Sequence, residues 1–497
     1  MTTENSLPDS PFSSSQQTPA SDSREATEGS SGKTPPRRRL PWFVAGLAIG
    51  VAVSFLLQTP LFRLSAEDCF RKAEKCLLGR GAEAVEWYRK AAERGHGMAQ
   101  LELGNIYANG VWMARDYEQA VDWYRKAAEQ GNAEAMYALG YMYEFGHGVE
   151  QDDDEADKWF RDALKQLPKA VKQGDARAAN VLGVMYKYGL GVEQDDDEAD
   201  KWFRKEAELF RKAAEKGNAV AQSALGSLFF SGRGVDKDKD EALKWFRKSA
   251  KQGLAASQTS LGNLYLNGNG VERDETEAFR WIRKAAEQDH GGAQYQLGNM
   301  YRKGQGVEKD GEEAARWYEK AAERGWVVAQ RGLGDMYAEG DDVERDRKMS
   351  ARWYRRAMKL LRKMAEQGDE YAMYGLGDSY KFGHGVEQDD DEADKWYRRA
   401  MKKFRRFAER EVPDAQFYLA FMYKFGHGVE QDEKEAVKWF RKAADQDHPK
   451  AQVWLGYLYE HGEGVEQDED EAVKWFRKAA EQGNEEAQTE LRRLVGE

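Results

Sequence analysis

The stretch AQVWLGYLYEHGEGVEQDEDEAVKWFRKAAEQG, residues 451–483, decides the fold. Its first half sets Ala451, Leu455 and Tyr459 four residues apart, on one face of a helix that turns about 100° per residue. Gly462-Glu463-Gly464-Val465 breaks that pattern. Asp468 then stands where a helix N-cap belongs, and Glu471 three residues on fits a capping box. The second half carries Ala472, Trp475, Phe476, Ala479 and Ala480 on one stripe, and Gly483 supplies the residue past the helix end. Two amphipathic helices around a glycine turn follow from these spacings.

The pattern recurs. Tryptophans stand at Trp87, Trp123, Trp159, Trp202, Trp245, Trp281, Trp317, Trp353, Trp396, Trp439 and Trp475, at intervals of 36 or 43 residues. Leu-Gly pairs run in parallel from Leu103-Gly104 to Leu455-Gly456, with Ala420 once in place of glycine. Pairs such as Asp152/Glu155, Asp274/Glu277 and Asp432/Glu435 predict capping boxes at the second helices, while Asp346/Met349, after the irregular turn 340–343, departs from the rule. The seven extra residues of the long units fall after the tryptophan. Seven residues are about two helical turns, so the lengthened helix keeps its buried face in phase. Pro168 lies inside one such helix and predicts a kink. A unit this small cannot bury its apolar face alone; stacking on neighbours does so. Each unit is expected to lean on the next through its indole, a mostly buried Trp245 making Trp245→Ala cost about 3–5 kcal/mol.

Ahead of the repeats the composition changes. Residues 1–36 hold five of the ten prolines and, apart from Phe12, no aromatic residue; such a segment cannot offset its chain entropy and is expected to be a disordered tail. Arg37-Arg38-Arg39 precede an uncharged apolar run over 40–57 that extends to Phe62, enough to cross a bilayer core of about 30 Å. A cleaved signal peptide and a buried globular helix are the other readings. The leader is long for the first, and the run lacks the polar face of the second. The expectation is a signal-anchor helix over 37–62, with the arginines and the tail cytoplasmic and the body on the far side, periplasmic or lumenal.

These motifs resemble the SEL-one-like repeat family, relatives of the tetratricopeptide repeats. The pattern Ala-x-x-x-Leu-Gly-x-x-Tyr-x-x-Gly-x-Gly-Val-x-x-Asp-x-x-x-Ala-x-x-Trp-Phe/Tyr-x-Lys-Ala-Ala-x-x-Gly stands almost complete at 135–174 and 451–483. The opening unit, 69–94, departs with its short Gly79-Arg80-Gly81 turn and suits a capping unit. The fold expected is all-α: a right-handed superhelical solenoid of about eleven helix–turn–helix repeats of 36 or 43 residues, over 65–497, behind one N-terminal transmembrane helix. The resemblance implies adaptor work, the binding of proteins in bacterial envelopes or the secretory lumen. Some members are linked to cell-wall or β-lactam compounds.

The residues themselves point to binding rather than chemistry. A net charge of −12 over 497 residues argues against a general nucleic-acid binder. The Gly-x-Gly pairs follow helices and lack a third glycine, so they are turns and not dinucleotide loops. His147, His384 and His427, each in Phe-Gly-His-Gly, stand one per unit, too far apart to share a metal. The acidic runs at 152–155, 195–198 and 389–392 lack calcium-loop spacing and suit helix starts. Cys69 and Cys76 are about 10.5 Å apart along a helix, beyond disulfide reach; buried or free thiols and intermolecular pairing are both open. No cofactor, metal or catalytic residue is expected. Candidate partner-binding residues form an aromatic stripe on the first helices, opposite their Ala/Leu/Tyr face: Tyr137, Tyr141, Phe145, Tyr374, Phe382, Phe417, Phe421, Phe425 and Tyr457. The same rings could instead pack within the chain. The function expected is a membrane-anchored scaffold for a protein or peptide partner. An envelope enzyme acting on peptidoglycan or β-lactams, or a structural spacer, are the alternatives.

Overall fold

The computed structural model describes residues 64–340 and 342–496. The expected tail and membrane segment, 1–36 and 37–62, lie outside them; among the described residues no helix is long and apolar enough to cross a membrane.

Among the described residues twenty-three helices follow one another. The first units are α1 (Ala66–Cys76) with α2 (Gly81–Ala92), α3 (Gly97–Asn109) with α4 (Tyr117–Glu129), α5 (Ala133–Phe145) with α6 (Asp153–Lys172), and α7 (Ala176–Tyr188) with α8 (Asp196–Glu215). The middle units are α9 (Ala219–Ser231) with α10 (Lys239–Lys251), α11 (Ala255–Asn267) with α12 (Glu275–Ala286), and α13 (Gly291–Lys303) with α14 (Gly311–Glu323). The last are α15 (Val327–Glu339) with α16 (Arg347–Glu366), α17 (Glu370–Phe382) with α18 (Asp390–Glu409), α19 (Pro413–Phe425) with α20 (Glu433–Asp445), and α21 (Pro449–His461) with α22 (Glu469–Glu481). Helix α23 (Glu485–Val495) closes the row. The long units extend α6, α8, α16 and α18 to 20 residues each. Helix α6 runs through Pro168 without a break.

The expected capping boxes are half formed. Each N-cap aspartate of a second helix, Asp346 included, accepts from the backbone N–H three residues on. Its own N–H is already spent on the carbonyl of the aromatic residue nine positions earlier, as from Asp152 to Tyr143 and from Asp432 to Tyr423, both 3.0 Å. The third-position glutamates therefore turn outward to a base three residues on, as Glu155 does to Lys158 at 2.8 Å and Glu471 to Lys474 at 2.8 Å. The reciprocal box forms at Ser65 and Asp68.

In most units the residue after the tryptophan lies deeper than the tryptophan itself; the unit of Trp353 and Tyr354, at 3% and 8% exposure, reverses the order. Phe160, Tyr318, Phe440 and Phe476 are at most 1 % exposed. These rings explain the Leu-Gly pairs. A methyl group added at Gly140 would sit 2.6 Å from the ring of Phe160, and one at Gly298 would sit 2.5 Å from Tyr318. The glycine lets the two helices close on the ring. The tryptophans play the second part. Trp317, Trp353, Trp396 and Trp475 are buried, while Trp245 and the other six repeat tryptophans are half-buried. After Trp87, which packs in the first unit itself, they pack on the preceding unit, as Trp281 does on the cluster around Leu243 and Phe246. A base often covers the ring, Lys248 lying 3.8 Å from the centre of Trp245. The stacking role expected of the indole holds, but a half-buried ring contributes less than the mostly buried Trp245 expected from sequence, and about 1–2 kcal/mol is the better figure for Trp245→Ala.

The row of units winds far enough to meet itself. Loops between the two helices of a unit form one edge of the spiral, the turn edge; links between units form the other, the junction edge. The turn edge of the first six units rests on the junction edge of the later ones. Leu78 bridges to Leu254, and Gly291 N–H donates to Val111 O at 3.4 Å. Gly148 N–H donates to Gln367 O at 2.8 Å, and Asn269 Nδ2 to Gln482 O at 2.8 Å.

Candidate functional site: a cavity between superhelical turns

Where the second and third units meet the ninth and tenth, the spiral leaves a half-open cavity of about 500 Å³. Tyr117, Tyr137 and Tyr141 line it from one turn, Tyr371 and Phe407 from the other. A second hollow of about 290 Å³ adjoins it, sharing Asn109, Arg115 and Tyr371.

Polar and ring contacts between turns frame the space. Arg115 Nη1 lies 2.6 Å from the fully buried carboxylate of Asp369, which also caps α17 through Ala372 N–H. His147 Nε2 is 3.0 Å from Glu370, with both side chains buried, and its ring lies flat on Tyr117 at 4.5 Å between centroids. Phe145 stacks on Phe407 at 3.9 Å and 9°. Arg410 reaches Glu144 at 2.5 Å, and Arg406 reaches Asp153 at 2.6 Å. Lys403 donates to the Phe145 carbonyl. On the cavity wall, burial above all pushes the Glu134 carboxyl up to about 7, although Arg177 lies 3.5 Å away. Arg177 also pairs with Glu102. Aromatic faces with a few fixed polar groups suit an extended chain, whose side chains stack and whose backbone finds donors and acceptors.

The predicted stripe is divided by this geometry. Tyr137 and Tyr141 meet in the cavity. Phe145 does not stand open to a partner: it is covered by Phe407. Tyr374, Phe417 and Phe421 are buried against their own neighbours, Tyr374 on Tyr397 and Phe421 on Trp454, so the packing within the chain wins there. Tyr457 is half-buried on Phe476. Phe382 and Phe425 are exposed. Tyr371, Phe407, Arg115 and Asp369 escaped the periodicity, because residues some 250 positions apart meet only through the pitch of the spiral. Each Phe-Gly-His-Gly histidine stacks on a tyrosine of the preceding unit, His384 on Tyr354 at 4.7 Å and His427 on Tyr397 at 4.4 Å. Cys69 and Cys76 are both buried free thiols. Among the described residues no three His, Cys, Asp or Glu side chains are grouped as a metal site.

The Sel1 repeat family model matches eleven segments, beginning with 81–96 and 97–132 and ending with 449–484. Among solved structures, a protective antigen of uropathogenic Escherichia coli with an SLR fold is 33% identical, over 83% of this chain and 90% of that one, at a TM-score of 0.34. A Sel1 repeat protein from Oxalobacter formigenes is 34% identical, over 67% and 90%, at 0.31. Cysteine rich protein B of Helicobacter pylori is 23% identical, over 31% and 99%, at 0.19. No curated protein matches the chain.

Proposed function

The chain belongs to the Sel1-repeat family, whose members generally mediate protein–protein interaction, and we propose that this one is a membrane-anchored scaffold of the cell envelope that grips an extended segment of a protein partner. The cavity between the turns carries this reading: Tyr137, Tyr141, Tyr371 and Phe407 line a space of about 500 Å³ beside the Arg115–Asp369 pair. Rigid rings with fixed polar neighbours bind a chain at small entropic cost. Anchoring rests on the sequence over 37–62, which sets the right-handed solenoid of 65–497 beyond the membrane, periplasmic or lumenal, with the N-terminus cytoplasmic. No catalytic group, cofactor or nucleic acid enters the scheme.

The test replaces Tyr137 and Tyr371 by serine in the full chain and measures partner capture from envelope extract per folded molecule. Capture should fall at least tenfold while the helical signal and melting of the other units persist. Undiminished capture by the folded double variant would exclude the cavity as the gripping surface.

A further inference from the structure

We propose that a second copy of this chain docks head to tail on the exposed turn edge of the last units, presenting the junction edge of its own first units. The contact would repeat between copies the clasp that closes successive turns within one copy. The inference is independent of the partner held in the cavity.

Residues 145–159, FGHGVEQDDDEADKW, are identical to residues 382–396, and 425–432 repeats the first eight. All three lie on the turn edge. At the first place the spiral continues over the segment: Phe145 stacks on Phe407 at 3.9 Å, Asp153 pairs with Arg406 at 2.6 Å, and Gly148 N–H meets Gln367 O at 2.8 Å. The second and third places lie on the last turn. There Phe382 is 45% exposed and Phe425 39%, and Asp390 pairs at 3.0 Å with Lys381 of its own unit. The same chemistry is displayed twice more than the chain's own length can cover.

The opposite half of the clasp is repeated as well. On the covered junction edge, Lys363-Met-Ala-Glu-Gln367-Gly368 grips the second unit. Lys363 Nζ is 2.7 Å from Asp116, Gln367 Nε2 donates to Asp116 at 2.9 Å, and Gln367 Oε1 accepts from Tyr117 N–H at 3.1 Å. Lys-x-x-x-Gln-Gly recurs at 126–131 and 169–174, and Lys212 holds the same place in the fourth unit. These lie on the junction edge of the first turn, where Lys126, Lys169, Gln173 and Lys212 are exposed. One end of the spiral thus offers aspartates and phenylalanines, the other lysines and glutamines. Complementary rather than identical edges make a head-to-tail contact, which propagates instead of closing as a two-fold dimer.

The experiment uses the full-length chain in detergent micelles. Its mass by light scattering should rise with concentration above that of one chain. A chain carrying Asp390→Cys, mixed with chains carrying Lys126→Cys, Lys169→Cys or Lys212→Cys, should give a disulfide-linked mixed dimer in at least one combination. Oxidised alone, the Asp390→Cys chain should give none, since Cys69 and Cys76 are buried. Asp390→Lys with Asp391→Lys should weaken association at least tenfold, and a copy bearing Lys169→Glu and Lys212→Glu should restore it. All these positions are exposed, and unchanged melting checks that folding is intact. A one-chain mass at every concentration, a self-linked Asp390→Cys dimer, association indifferent to the charge reversals, or residues 1–63 of the same chain found cross-linked over Phe382 would each overturn the proposal.

Discussion

Two stretches of this molecule have the same fifteen residues and different surroundings. Segments 145–159 and 382–396 form the same turn and start the same helix, with Asp152 and Asp389 capping through the same N–H three residues on. Yet Phe145 is 4% exposed and Phe382 45%. Asp153 meets Arg406 from the next turn, whereas its equivalent Asp390 stays with its own unit. Local structure here is a property of the segment; burial is a property of its place on the spiral. A solenoid separates the two because each unit packs chiefly on its neighbours, and the pitch adds a second, long-range set of contacts.

The largest effects should ignore the difference. Phe160 and Tyr397 follow the tryptophans of the two segments and fill the space left by Gly140 and Gly377. Both are buried between the helices of their own unit and the unit that follows, at 1% and 3% exposure. Phe160→Ala and Tyr397→Ala should each cost about 3–5 kcal/mol of local stability. Hydrogen exchange of α5 with α6, and of α17 with α18, measures the two losses separately. A cost confined to one of them would show that the long-range contacts, and not the unit, hold the ring.

Next comes the pair that should split. Phe145→Ala removes a ring stacked on Phe407 across the turns and should cost about 3 kcal/mol, with faster exchange appearing together at 145–148 and 367–370. Phe382→Ala, at an exposed ring, should change the stability of the isolated chain by less than about 0.5 kcal/mol. Equal costs would mean that Phe382 is covered in solution.

The same split explains what could be read from the sequence. Helices, turns and caps were legible because Leu-Gly, Asp N-caps and tryptophans recur at fixed spacing. The division of labour between Trp439 and Phe440 was not, because both lie on one stripe and a helical wheel cannot rank depth. It could have been suspected from Gly377 and its equivalents, since a glycine inside a helix needs a bulky neighbour to explain it. The cavity was legible by half. Tyr137 and Tyr141 stand on the expected stripe, but Tyr371 and Arg115 join them through a pitch summed over many small inter-unit rotations, which no single repeat encodes. The proposed membrane segment over 37–62 lies outside the described residues and rests on its hydropathy and flanking arginines.

The smallest effect is one of pH. Burial pushes the rings of His384 and His427 down to about 4, Arg331 and Lys381 respectively adding to it. The unfolded chain takes up these protons near 6.5, before the folded one does. The stability tied to the neutral rings is therefore complete above about 6.5, declines as the pH falls from 6.5 toward 4, and is constant below that. Glu134, raised to about 7, has the opposite slope, so the parent profile alone is not decisive. The difference between parent and variant is. His384→Gln with His427→Gln should lose less stability than the parent between pH 7 and pH 5, by on the order of 1 kcal/mol once partial exposure screens the shift. Parallel melting curves at the two pH values would mean that the flat stacks on Tyr354 and Tyr397 open enough to let the rings protonate in place. The comparison of covered and uncovered segments would then extend from packing to charge, because the two uncovered histidines would behave as solvent-facing groups despite sharing their sequence with His147.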